Sequence, residues 1–360
     1  MNDVEPRLTP PETKGHVSVA RLNGYWYVAC QSDQLSRRPI ARTIVGIPMV
    51  LFRDREGRAG ALLDRCPHRN VPLSLGRIRD DGVLECSYHG WCFDVGGACT
   101  EVPGLLHKQQ IETRRVEAFP TIEQDGFVWV YATADVEPDS DPYEFPHAGD
   151  PDYTTVVREL EIEASVHAAA ENALDVPHTA FLHRGLFRGT GTRNDVDVRV
   201  TRWHDRVEAE YIGEPRPEGI AGRILSPSGG IVEHWDRFLL PSISQVEYRL
   251  GPENHVLITS AWTPVTDFVS RMTAVISFRV RLPGWAIRPV LEPIAMKVFQ
   301  QDADILEKQT ETIRRFGGEQ YMSTEIDVLG PHIWRLLRQA ERGEEAPTEE
   351  PFVKEFTMRV

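Results

Sequence analysis

The 360-residue sequence contains no run approaching the ~18 consecutive apolar residues that a spanning helix requires. Its first residues, MNDVEPRLTPPETKGH, lack the apolar centre of a signal peptide. Positive charge is scarce, with 40 Lys and Arg against 54 Asp and Glu and a formal net charge of −14. Binding a polyanion draws on clustered Lys and Arg that release counterions, so this balance argues against nucleic acid as a partner. Cysteine is sparse and odd in number. Five residues (Cys30, Cys66, Cys86, Cys92, Cys99) leave one unpaired, which disfavours a disulfide framework. A reducing, cytoplasmic setting in which thiols serve as ligands fits better. No internal repeat is visible.

What is present is ordinary for a soluble protein: 41% apolar and 26% charged residues, over a length that suits two cores better than one. Residues 24–133 are β-rich. Strand-like segments are Trp26–Ala29, Thr43–Ile47, Met49–Phe52 with a turn at 54–57, Gly60–Leu63 and Gly126–Tyr131. An Asp-, Glu- and Pro-rich stretch, 135–152, reads as a linker. Beyond it, 164–187 is helical with breaks. Residues 196–212, 232–250, 255–263 and 272–281 are strand-like, and Pro293–Phe316 has a strong helical pattern. The expected class is α+β, with an all-β N-terminal domain and an antiparallel-sheet domain carrying a packed C-terminal helix of the helix-grip type. Expected boundaries are a disordered leader at 1–17, domains at 18–140 and 141–343, and a tail at 344–360, of which Phe352–Val360 alternates like an edge strand.

Two short segments carry the first chemistry. Cys66-Pro67-His68 is followed, after 17 residues, by Cys86-Ser87-Tyr88-His89. Two thiolates and two imidazoles suit a Cys₂His₂ zinc site or a [2Fe–2S] cluster with Cys on one iron and His on the other. Zinc modules usually pair like ligands, whereas here each loop supplies one of each kind. The flanking residues, Arg69, Pro72-Leu73-Ser74-Leu75-Gly76 and Gly90-Trp91-Cys92-Phe93-Asp94, resemble the Rieske signature. Ser87 departs from it, standing where the family commonly has Pro. Cys92 and Cys99 read as small buried residues.

The second segment is Glu171-Asn172-Ala173-Leu174-Asp175-Val176-Pro177-His178-Thr179-Ala180-Phe181-Leu182-His183. It resembles the Asn-x-x-Asp-x-x-His-x₄-His stretch of Rieske non-haem iron oxygenases. In that family the two His ligate a mononuclear iron, and the Asp bridges to the cluster of a neighbouring subunit. On a straight helix His178 and His183 would point about 140° apart, so Pro177 is expected to kink the helix between them. Asp175, three residues before His178, can orient its imidazole. The plainer reading, two ordinary histidines, stays open for the residues alone. A third, carboxylate ligand is expected from the C-terminal helix. Its apolar ladder (Ile294/Ala295, Val298/Phe299, Ile305/Leu306, Ile313) is interrupted by Asp302. Gln301-Asp302 with Glu307 also resembles the family's pattern there. Asp304 is expected to form a surface ion pair with Lys308.

The resemblance covers nearly the whole chain. It implies an oxygenase component that uses O₂ and electrons from NAD(P)H through a separate flavin reductase, with or without a ferredoxin. The cofactors implied are a Rieske [2Fe–2S] cluster on Cys66, His68, Cys86 and His89 and a mononuclear Fe(II) on His178, His183 and Asp302. Asn172 and Asp175 are the supporting residues, and the assembly implied is a homotrimer. Monooxygenation of a hydrophobic ring substrate, aromatic or sterol- or terpenoid-like, is expected, as hydroxylation or oxidative demethylation. The alternatives are a Rieske electron-transfer or redox-sensing protein without oxygenase chemistry, or a zinc-stapled binding module. Candidate pocket residues are Trp203, Trp235, Phe238, Leu240, Trp262 and Phe278. Residues 283–296 read as a packed connection, with a gating or lipid-facing segment as the other reading.

Overall fold

Side chains alternate across a strand, so a strand that is apolar on both faces must be covered twice. The computed structural model describes residues 19–105, 113–184, 194–215, 231–251, 254–280, 284–344 and 350–359. The expected leader at 1–17 lies outside these residues. The described residues form two units, one of 21–144 with 263–266, the other of 19–20, 145–262 and 267–359.

The first unit contains β1 (Trp26–Gln31), β2 (Ile40–Ile44), β3 (Ile47–Arg53), β4 (Ala59–Leu63), β5 (Arg77–Ile78), β6 (Leu84–Glu85), β7 (Cys92–Phe93), β8 (Cys99–Glu101), β9 (Ala118–Phe119), β10 (Thr121–Gln124) and β11 (Phe127–Tyr131). They make three sheets in the orders β1-β11-β10, β2-β3-β4-β9 and β5-β6-β7-β8. Strand β3 is the doubly covered one. Met49 and Leu51 enter a core with Tyr27, Ile44 and Val128. Val50 and Phe52 enter another with Leu62, Leu73, Leu84, Phe93, Cys66 and Cys86. Burying these four side chains contributes roughly 1.5–3 kcal/mol each, and the second core carries both cysteine loops.

The expected strand Thr43–Ile47 is instead a hairpin. Ile44 pairs with Ile47, and Val45 and Gly46 have φ of 51° and 72°. Positive φ at both central positions is the type I′ form of a two-residue hairpin turn. A valine there is rare, because its branched Cβ crowds the backbone. Its side chain is buried in return.

The second unit is built on one eight-stranded sheet. Its strands are β12 (Thr154–Ile162), β13 (Asp195–Arg202), β14 (Arg206–Ile212), β15 (Glu233–Leu239), β16 (Ile243–Arg249), β17 (His255–Thr266), β18 (Val269–Arg279) and β19 (Phe352–Arg359). The sheet order is β12-β18-β17-β16-β15-β14-β13-β19. The C-terminal strand β19 occupies an edge, with Phe352 opposite Arg202 and Arg359 opposite Asp195. Among the described residues three helices complete the unit: α1 (Val166–Ala173), α2 (Gly284–Phe316) and α3 (Gly330–Glu341). The Ser165 side chain caps α1 by accepting from the Ala168 N–H. Thr310 on α2 donates to the Glu163 carbonyl, 2.7 Å, fastening the helix just beyond the end of β12.

Helix α2 starts nine residues before the expected Pro293, with Pro289 and Pro293 inside it. Part of the segment read as a connection is therefore helical, with Ile287 buried and Trp285 exposed. Helix α3 was not expected, although Ile333, Leu336 and Leu337 have helical spacing and are all buried. Among the described residues no helix is long and apolar enough to cross a membrane.

Gly76 follows the turn Leu73–Leu75, and a Cβ there would overlap the Glu85 carbonyl oxygen. Gly76→Ala is expected to push β6 away from that turn and to lower stability by about 2 kcal/mol, read as a fall in denaturation midpoint. An unchanged midpoint would show that the two segments are not in close approach.

Candidate metal centres

The two cysteine loops share one backbone turn. The Cys66 N–H donates to the Val71 carbonyl (2.9 Å) and the Asn70 N–H returns to the Cys66 carbonyl (2.9 Å). The Cys86 N–H likewise donates to the Trp91 carbonyl (2.8 Å) and the Gly90 N–H returns to Cys86 (3.1 Å). Both returns need positive φ, supplied by Asn70 (60°) and Gly90 (70°). At the base, Asp64 accepts from the Ser74 N–H (2.7 Å) and Oγ (2.6 Å).

The turns bring like atoms together. Both cysteines are buried, and burial pushes the Cys66 thiol up to about 11, with the neighbouring Cys86 thiol adding to it. The His68 and His89 ring centroids lie 4.4 Å apart, and His68 stacks on Trp91 at 4.8 Å. His68 Nδ1 is buried with no hydrogen-bond partner, an arrangement that native interiors tolerate when a ligand takes the atom. Two thiols and two imidazoles fit a mixed Cys/His cluster, whose assembly would displace the thiol protons. Cys92 and Cys99 are buried nearby, and Arg79 reaches the Cys92 Sγ at 3.3 Å and Glu101 at 2.7 Å. They read as packing and hydrogen-bonding residues.

In the second unit the helix does not kink at Pro177; it ends. Helix α1 stops at Ala173, and a separate 3₁₀ turn covers Pro177–Ala180. Proline lacks the N–H that would continue the helix, and the tighter turn that follows swings His178 round toward His183. Asp175 anchors the turn by accepting the His178 N–H at 2.9 Å, and the same oxygen lies 3.2 Å from His178 Nδ1.

His178, His183 and Asp302 converge. Nε2 to Nε2 is 3.1 Å, His183 Nε2 to Asp302 Oδ1 is 3.1 Å, and His178 Nε2 to the same oxygen is 3.5 Å. Three donors at right angles about 2.1 Å from one metal would lie about 3.0 Å apart, so this triangle fits one face of an octahedral site. The surroundings fix each donor. Gln301 Oε1 lies 3.0 Å from His183 Nδ1, which places the ring proton there and turns the Nε2 lone pair to the centre. Burial alone would lower the His178 pKa, but Asp175 and Asp302 push it up to about 9. Burial alone would raise Asp302, but hydrogen bonds from His178, His183 and Asn172 bring it down to about 2. The triad thus attracts positive charge.

Two expectations for α2 need correction. Ile305 is exposed; of the expected ladder Leu306 and Ile313 are buried, while Ile294, Ala295, Val298 and Phe299 are half-buried. Asp304 accepts from Gln300 at 2.8 Å, while Lys308 turns to Glu311 at 2.8 Å, so the expected Asp304–Lys308 pair does not form.

The triad lies at a cavity of about 210 Å³ within the second unit. Of the six aromatic and apolar candidates only Trp262 lines it. Phe238 and Phe278 are core residues. Unforeseen lining residues are Glu214, His234 and Asp236. His234 Nδ1 lies 2.6 Å from Glu214 Oε2 and its Nε2 3.0 Å from Asp236 Oδ1. The signal was available in Glu233-His234-Trp235-Asp236, where two ionisable residues share the inward face of an alternating strand.

Residues 25–120 match the Rieske [2Fe-2S] domain family, and residues 162–343 match the family described as the Vanillate O-demethylase oxygenase C-terminal domain. The oxygenase component of dicamba O-demethylase from Stenotrophomonas maltophilia is 29% identical over 289 residues, covering 79% of this chain and 74% of its own. The vanillate O-demethylase oxygenase subunit from a Pseudomonas species is 28% identical over 345 residues, covering 87% and 92%. The crystal structure of dicamba monooxygenase bound to 3,6-dichlorosalicylic acid superposes with a TM-score of 0.74 at 25% identity, covering 90% of this chain and 99% of that one.

Gln301→Leu removes the acceptor opposite His183 Nδ1 at similar volume. Affinity for Fe(II) is expected to fall about 10–100-fold, read by anaerobic titration, with the visible absorption of the cluster unchanged. Unaltered affinity would mean that the ring is oriented by something else.

Proposed function

The chain belongs to the Rieske non-haem iron oxygenase family and is the oxygenase component of a Rieske monooxygenase, and from that premise we propose which residues hold its metals and what it oxidises. Cys66, His68, Cys86 and His89 hold the [2Fe–2S] cluster; His178, His183 and Asp302 hold Fe(II). The substrate is a hydrophobic ring compound, hydroxylated or oxidatively demethylated. The observation that carries this reading is the convergence of two imidazole nitrogens and one carboxylate oxygen at a largely apolar cavity. Three ligands on one face leave the other positions open. When bound, the cluster supplies electrons singly and the iron is the centre at which O₂ is reduced.

The chain's own groups do the rest. Gln301 holds the His183 tautomer, and Asn172 donates to Asp302 so that the carboxylate keeps its charge. Leu174, Val246, Ile258, Met272 and Phe299 line the cavity and exclude water from the ring. Electrons come from a separate reductase, with or without a ferredoxin. We further infer a homotrimer in which Asp175 lies on the electron path into the iron site from another chain's cluster. In support, His89 and the adjoining Tyr88 are exposed, so a partner can reach the cluster's imidazole edge. Asp175 in turn is within 3.2 Å of His178. Five buried cysteines outside any disulfide favour a reducing compartment, and hence the cytoplasm. A protein that only carried electrons would have no use for the second constellation.

Anaerobically purified protein is expected to hold three irons and two labile sulfides per chain, and Asp302→Ala two irons with both sulfides kept. Two irons in the unaltered chain would end the reading. Asp175→Asn should retain all metal while NADH-driven O₂ uptake, measured with a surrogate reductase, drops about 10–100-fold. Full uptake in that variant would remove Asp175 from the electron path.

A further inference from the structure

The cavity has a polar wall built from residues other than the proposed iron ligands, and nothing in the oxygen chemistry calls for it. Glu214, His234 and Asp236 are all buried, with the imidazole held between the two carboxylates at 2.6 and 3.0 Å. Tyr211 stacks on one face of the ring at 4.5 Å and Tyr248 on the other at 4.1 Å. The ring therefore cannot swing out. Burial by itself would lower the His234 pKa, but Asp236 and Glu214 push it up to about 9, so the wall carries its own cation at neutral pH.

We propose that this wall selects the substrate's polar group, accepting an uncharged ring hydroxyl through Asp236 and excluding ring carboxylates and sulfonates. The proposal rests on the oxygenase reading above and adds the substrate class. Burial raises the Asp236 pKa while the His234 imidazolium beside it works against that; held ionised, a carboxylate only accepts hydrogen bonds, so the group it receives must donate. Apart from Asp175 and Asp302 at the iron side, the lining holds Glu214 and Asp236 against the single His234 imidazolium, and among the described residues neither Lys nor Arg. An anionic ring, such as the vanillate for which one relative is named, would sit beside like charges with no guanidinium or ammonium to receive it. A cationic ring is disfavoured for a different reason. Its ammonium would be stripped of water on entering the cavity, and His234 already engages both carboxylates, so the pairing left to it does not repay that cost. A neutral hydroxyl meets neither penalty, and its ring is left to the apolar side near Trp262 and Phe299.

The test is equilibrium dialysis of the metal-loaded protein, near neutral pH, against 2-naphthol, 2-naphthoate and 2-naphthylmethylammonium. Naphthol is expected to bind at least about tenfold more tightly than either charged analogue, as a site built to receive a hydroxyl should. In Asp236→Asn the preference over naphthoate should shrink to within about threefold, with iron and sulfide contents retained. Glu214→Gln serves as a second variant should the first not fold. Equal or tighter binding of naphthoate or the ammonium, no measurable naphthol binding, or an undiminished preference in the folded variant each overturns the proposal. Iron and sulfide counted on the same samples separate the two readings. A chain lacking its third iron fails as an oxygenase, whereas full metal with naphthoate preferred removes only the wall.

Discussion

A carboxylate can lie in the apolar stripe of a helix only where opposite charge or a metal takes up its lone pairs. Asp302 is that carboxylate, and much of the second unit is arranged around it. Helix α2 must present it at the cavity, which fixes the helix register through the neighbouring buried Leu306 and Ile313. Helix α1 must stop before His178, because a continued helix would send the two imidazoles to different sides. Pro177 and Asp175 provide that stop, one by withholding an N–H, the other by accepting the His178 N–H. Asn172 and Gln301 then hold the carboxylate and His183 from outside the triangle. Remove the carboxylate and these constraints have no common centre.

The cluster loops solve a different problem. A thiol with its pKa pushed up toward 11 is neutral unless a metal displaces the proton, so charge cannot organise the loops beforehand. Backbone geometry does so instead. The same turn occurs twice, closed by the same two hydrogen bonds and the same left-handed residue. Strand β3 supports both from beneath because its second face, Val50 and Phe52, packs into the core that contains Cys66 and Cys86. The apolar run of that strand is thus a requirement of the metal site as much as of the fold.

Chemistry was more legible in the sequence than geometry. Cys66, His68, Cys86, His89, His178, His183 and Asp302 stand out because ligand types recur at characteristic spacings, or because a charge interrupts an apolar ladder. Local shape was harder. Thr43–Ile47 has the composition of a strand and conceals a turn, since Val45 takes a backbone conformation that valine seldom adopts. Helix α2 begins before two prolines that ordinarily mark a boundary. Large aromatics were poor guides to the cavity: Phe238 fills the core, and of six candidates only Trp262 faces the site. Of the residues that do shape it, His234 and Asp236 share one face of β15, but Glu214 joins them only through strand pairing, with Tyr211 opposite His234 across β14 and β15. Spacing along the chain does not contain that information.

The proposed iron ligands and the polar wall come from different elements, and this separation matters for how such a site diversifies. The proposed ligands arise from the 3₁₀ turn after α1, the residues that follow it and α2; the wall arises from β15 and the residues after β14. Inward positions on β15 alternate with outward ones, so one substitution there changes what the wall accepts while leaving every ligand and its supporting hydrogen bond in place. The iron end, where one lost group leaves a buried charge uncompensated, is constrained by all of its members together. The wall is constrained only by its own internal balance of two carboxylates and one imidazole, and a different balanced set would serve another substrate on the same iron site.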